Sequence, residues 1–116
     1  MTARDDASLL DMATSIRLIL EFTQNMNQAE FEIDRKTQSA VLYQIAILGE
    51  AVKRLSQNFR NEHPDIPWSS IAGMRDKLVH DYDGIDIKRV WLTIETSIPE
   101  FLTAIDPLLP QREDLE

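Results

Sequence analysis

Apolar residues recur at steps of three and four along most of the chain. Leu9, Met12, Ala13, Ile16, Ile19, Leu20 and Met26 form one stripe, which predicts an amphipathic helix from about Ser8 to Asn27. Asp5, Asp6 and Ser8 offer capping side chains, and acids there suit the positive end of a helix dipole. The stretch from Gln28 to Ile33 is polar and broken, and Asp34 is the expected cap of the next helix. In that helix Val41, Ile45, Leu48, Val52, Leu55 and Phe59 form a seam, and Ala40, Ile47 and Ala51 widen it, so neighbours on two sides are expected. His63-Pro64 ends it, because the residue before a proline is pushed out of the α region.

Pro67-Trp68-Ser69-Ser70-Ile71 reads as a short helical turn opened by proline and punctuated by Gly73. A third helix is expected from Met74 to about Tyr82, stopping near Asp83-Gly84. Asp86 caps a fourth, with Ile87, Val90, Trp91, Ile94, Ile98, Phe101 and Ile105 facing inward. Pro99 should kink or restart that helix, with Ser97 as the local cap. No alternating Val/Ile/Thr run predicts a strand. The expected architecture is an all-α antiparallel bundle of about four main helices, with a short extra helix before residue 74. One domain over 1–116 is expected, frayed at 1–7 and 108–116.

Composition narrows the class. The chain has 116 residues, no cysteine and 43% hydrophobic residues, enough for a single core without a disulfide framework or thiolate site. MTARDDASLL has no basic, then apolar, leader, and the most apolar stretch, Ala40 to Val52, is interrupted by Gln44 and Glu50. A cytoplasmic protein with no membrane partner is the expectation. The net charge of −8 argues at first against a nucleic-acid partner. Residues 1–34 hold seven acids against two bases, and 90–116 hold six against one, whereas 35–89 hold nine bases against seven acids. The acidity belongs to the two ends. An anion site in the middle is not excluded.

The chemistry concentrates in that middle segment. No glycine-rich phosphate loop exists, the histidines His63 and His80 make no familiar metal set, and no cofactor is expected. Arg75-Asp76-Lys77-Leu78-Val79-His80-Asp81-Tyr82 gathers an Arg, a Lys, a His, a Tyr and two Asp in eight residues. On a continuous helix, Asp76 and His80 are i and i+4, so the carboxylate could fix the imidazole. Arg75 and Tyr82 return to nearly one line, while His80 stands about 140° from Arg75. A histidine can move protons at neutral pH and an arginine can clamp a phosphate, so the set suits RNA cleavage without a metal.

These residues resemble the HEPN superfamily and, within it, the HepT-like toxin family, from about Leu9 to Leu109. The likeness rests on Arg75-(DKLV)-His80-Asp81-Tyr82, on Ile47 to Ser56, on Pro64-Asp65-Ile66-Pro67-Trp68, on Ile71 to Arg75, and on Val90-Trp91. It implies a helical ribonuclease toxin with a composite active site at a homodimer interface, in which Arg75 and His80 are the catalytic pair; Asp76, by its spacing, would support His80. It also implies a minimal nucleotidyltransferase (MntA-like) antitoxin that transfers AMP to Tyr82 and silences cleavage. Asp76 stands where similar sequences often carry Asn.

Other residues have plainer readings. Trp68 and Trp91 read as core or interface anchors rather than base-stacking platforms, and His63 as an exposed loop residue. Lys53, Arg54, Lys88 and Arg89 read as solvated helix faces; if they share a groove with Lys77, they become RNA-backbone contacts, doubled in a two-fold dimer. The alternative to an enzyme is a non-catalytic helical module that binds a nucleotidyltransferase partner or a nucleotide.

Overall fold

A computed structural model describes residues 2–80 and 84–110, His80 through its backbone. Eight α-helical segments occur among them: α1 (Ala3–Phe22), α2 (Gln28–Ile33), α3 (Arg35–Lys53), α4 (Gln57–Glu62), α5 (Trp68–Ala72), α6 (Met74–Leu78), α7 (Ile87–Glu95) and α8 (Ser97–Ile105). A 3-10 turn, Asp106–Leu108, follows α8. The described residues form an all-α bundle. Its core is built around α3, which packs along α1 on one side and against α5 and α6 on another, while α8 joins α1 to α7.

The first helix begins earlier than its stripe suggests. Thr2 and Asp5 form a reciprocal capping box: the Asp5 N–H donates to Thr2 Oγ1 at 3.0 Å, and the Thr2 N–H to Asp5 Oδ2 at 3.2 Å. The expectation of a frayed start over 1–7 is corrected from Thr2 onward by this cap, Met1 lying outside the described residues. Asp5 also reaches across the bundle, accepting from the Ser56 N–H at 2.7 Å and from Ser56 Oγ at 2.9 Å. Burial alone would raise the pKa of this carboxyl, but the hydrogen bonds from Ser56 and Thr2 outweigh it and hold the pKa below the ordinary value.

Further boundaries differ for local reasons. Asn27 and Glu30 form a second capping box, which turns the polar stretch after α1 into the separate helix α2. The long seam is divided: α3 stops at Lys53, and the Ser56 hydroxyl caps α4 by accepting from the Phe59 N–H. Leu55 and Phe59 still reach the core, so the periodicity is kept across a break. In the last stretch the break falls at Thr96, not at a Ser97 cap. Pro99 is the third residue of α8, where its missing N–H would have had no helical partner.

Buried side chains converge on one cluster. Leu9, Met12, Ile16 and Ile19 of α1 meet Val41, Ile45, Leu48 and Val52 of α3, all fully buried. Trp91 lies against Phe31 with ring centroids 5.4 Å apart, and Trp68 lies 6.0 Å from Phe59. The Trp68 indole N–H donates to the His63 carbonyl at 3.0 Å. Both tryptophans are therefore core residues. His63 is half-buried with its ring 4.7 Å from that of Phe59, which corrects its reading as an exposed loop residue.

Candidate active site

The site region begins where α3 lets α5 come close. Gly49 is buried in α3, and a Cβ built on it would stand 2.9 Å from the Ala72 carbonyl oxygen of α5. Gly73 then joins α5 directly to α6. Met74 and Leu78, four residues apart, are the buried anchors of α6. Their burial leaves Arg75, Asp76 and Lys77 on its exposed surface.

Here the expected helix to Tyr82 is corrected. It ends at Leu78, and Val79 is extended with φ −114° and ψ 121°. Val79–His80 (β1) pairs antiparallel with Gly84–Ile85 (β2), with Val79 opposite Ile85 and His80 opposite Gly84. The Asp86 N–H closes this hairpin by donating to the Leu78 carbonyl at 2.9 Å. Two local features favour the change: Val79 is β-branched, and Gly84 has φ +84°, a conformation that side chains resist. The strand that the pattern did not predict is thus only two residues long on each side.

The consequence for the predicted pair is direct. The i, i+4 helical relation between Asp76 and His80 does not exist, because the helix ends at Leu78. His80 stands on a hairpin strand beyond the end of the helix that carries Arg75. The 140° offset of an ideal helix therefore no longer separates them. Tyr82, with Asp81 and Asp83, lies outside the described residues. Asp76 pairs instead with its neighbour: Arg75 Nη1 is 3.4 Å from Asp76 Oδ1, with the two side chains 49% and 77% exposed. Such an exposed pair is worth at most about 1 kcal/mol, so the guanidinium is readily surrendered to a phosphate.

The basic residues divide into two groups. Lys53 pairs with Glu50 and Arg54 with Asp11, each at 3.3 Å, on the α1–α3 side. Lys77 and Arg89 instead line one cavity of about 230 Å³ between α5, α6, α7 and α8. Lys53, Arg54 and Lys88 are not part of its wall. The hydroxyl and apolar residues of that cavity, Ser70, Thr93, Thr96 and Phe101 among them, carry no sequence motif; only the folded contact of four helices gathers them. Among the described residues no group of three or more His, Asp or Glu is placed to hold a metal ion.

The family model for ribonuclease HepT-like proteins matches residues 12–108. The chain belongs to this family. It is a ribonuclease HepT-like protein, and so falls among the RNA-cleaving enzymes. It is 45% identical over 91 residues to "Probable ribonuclease HepT" of Thermococcus cleftensis, an alignment covering 78% of this chain and 83% of the relative. It is 36% identical over 107 residues to a candidate RNase of Methanocaldococcus jannaschii, covering 92% and 88% of the two chains. A candidate RNase of Caldanaerobacter subterraneus is 36% identical over 95 residues, covering 82% and 85%. No solved structure matches this HepT-like chain at a significant level. Among its described residues no helix is long and apolar enough to cross a membrane.

Proposed function

We propose that the protein is an endoribonuclease toxin in which Arg75 and His80 act on one RNA phosphate. The carrying observation is the placement of an exposed, weakly paired Arg75 on a helix anchored by Met74 and Leu78, followed at once by the hairpin strand of His80. Family membership supports the same reading.

The reaction needs no more than these groups. The ribose 2′-oxygen attacks the adjacent phosphorus as its proton passes to the His80 imidazole. Arg75 donates to the equatorial phosphate oxygens as negative charge builds on the phosphorane. The P–O5′ bond then breaks, and the 5′-oxygen takes a proton from an imidazolium. The products are a 2′,3′-cyclic phosphate and a free 5′-hydroxyl. A homodimer supplies a second His80 to the composite site, so that one imidazole accepts a proton while the other donates. Asp76 holds Arg75 between turnovers.

A minimal nucleotidyltransferase antitoxin is the proposed regulator, adding AMP to Tyr82. The phosphate it attaches, two residues from His80, would compete with RNA for Arg75. The test has two parts. Purified protein should cleave RNA in the presence of a chelator and leave 2′,3′-cyclic phosphate ends, and incubation with the nucleotidyltransferase and ATP should add one AMP mass to Tyr82 and stop cleavage. Complete inertness toward RNA, with tight complex formation, would instead make the protein a binding module.

A further inference from the structure

The cavity between α5, α6, α7 and α8 is divided by chemistry. Lys77 from α6 and Arg89 from α7 contribute positive charge, and among the described residues neither is paired with a carboxylate. Met74 and Phe101 supply apolar wall. Thr93 and Thr96 line the α7 side, and their hydroxyl protons are already committed: Thr93 Oγ1 donates to the Arg89 carbonyl at 2.8 Å, and Thr96 Oγ1 to the Leu92 carbonyl at 2.7 Å. What these hydroxyls still offer is lone pairs. They accept from N–H or sugar O–H groups and repel a phosphate.

A ligand matching all three parts has an anion for the two cations, a flat ring for the apolar wall and donors for the threonines. We propose that this cavity is a nucleotide subsite, taking the phosphate on Lys77 and Arg89 and the base against Met74 and Phe101. At 230 Å³ it is smaller than the roughly 300–1,000 Å³ that encloses a whole drug-sized ligand, which limits it to one nucleotide unit. Its position relative to Arg75 follows from helix geometry. Residues two apart are about 160° apart around a helix, so Lys77 faces the flank of α6 away from Arg75. A strand with its reacting phosphate on Arg75 must cross the ridge at Asp76, a helix width of about 10–12 Å, to enter the cavity. The subsite thus holds a nucleotide flanking the cleaved step. That choice of ligand source rests on the ribonuclease reading; the cavity's chemistry would equally accept a free mononucleotide.

The test uses the full chain. A labelled 2′-O-methyl RNA oligonucleotide, which cannot be cleaved, reports binding by fluorescence anisotropy, and 5′-AMP binding is followed by calorimetry. Lys77→Ala/Arg89→Ala should weaken the oligonucleotide at least tenfold, and Lys77→Arg/Arg89→Lys should restore most of it. Arg35→Ala/Lys36→Ala, an exposed pair at the start of α3, removes the same charge and should change affinity less than twofold. Loss of 5′-AMP binding alone in Lys77→Ala/Arg89→Ala would retain the subsite and assign it to free nucleotides. If neither ligand is weakened beyond the charge control, the subsite is overturned. Cleavage by the wild type is scored separately, so an inert protein that still loses binding in Lys77→Ala/Arg89→Ala contradicts the ribonuclease reading and leaves the subsite standing.

Discussion

Gly49 of α3 and Ala72 of α5 approach so closely that no side chain fits between them: a Cβ on Gly49 would lie 2.9 Å from the Ala72 carbonyl oxygen. The obstacle is backbone, which cannot rotate away as a flexible side chain could. Because α5 runs through Gly73 straight into α6, this contact fixes the helix that carries Arg75.

Helix propensity and packing predict opposite outcomes at this position. In an open helix Gly49→Ala would stabilise by about 1 kcal/mol. Forced overpacking typically costs about 1–3 kcal/mol. The variant should therefore be less stable by denaturant melt and should lose RNA cleavage as α5 and α6 shift. A gain in stability would mean that the approach is not tight.

Asp5 ties the start of α1 to the start of α4 through Ser56. Asp5→Asn should cost about 1–3 kcal/mol at pH 7, the range for losing hydrogen bonds to a buried charged group. The pH dependence has a definite sign. A carboxyl whose folded-state pKa is lowered stabilises the fold above the ordinary value of 3.8, and that contribution is lost as pH falls below it through the lowered value. The stability gap between the wild type and Asp5→Asn should therefore be smaller in melts at pH 3 than at pH 7.

Asp76 is the residue whose role changes most between sequence and structure. It pairs with Arg75 at 3.4 Å, and under the proposed mechanism it would compete with the substrate phosphate for the guanidinium. Asp76→Asn should raise kcat/KM for RNA several-fold and change stability by less than about 1 kcal/mol, as for other exposed pairs. A tenfold fall in kcat/KM would return Asp76 to the role of supporting His80.

Much of this was legible in the sequence, and the failures have identifiable causes. The stripes of α1, α3, α7 and α8 report burial directly, and Asp34 and Asp86 cap where expected. Short helices were harder. The capping box at Asn27 and Glu30 marks α2, although its few apolar residues leave no stripe to read. The segment after Leu78 reads as helix because its run of mixed polar and apolar residues fits one locally. Only a carbonyl–amide closure eight residues apart, Leu78 to Asp86, reveals the hairpin. The motif residues were visible by type and spacing, but the cavity behind Lys77 was not. Its wall comes from four helices, and its threonines are hydrogen-bonded to their own helix backbone.

The central claim is that Arg75 and His80 carry the cleavage. The most direct measurement is single-turnover RNA cleavage by Arg75→Ala and His80→Ala, each checked for a wild-type melt. Loss of the charge stabiliser should slow the reaction about 10²–10³-fold, and loss of the proton-transfer group about 10²–10⁴-fold. Cleavage at the wild-type rate by either folded variant would contradict the account.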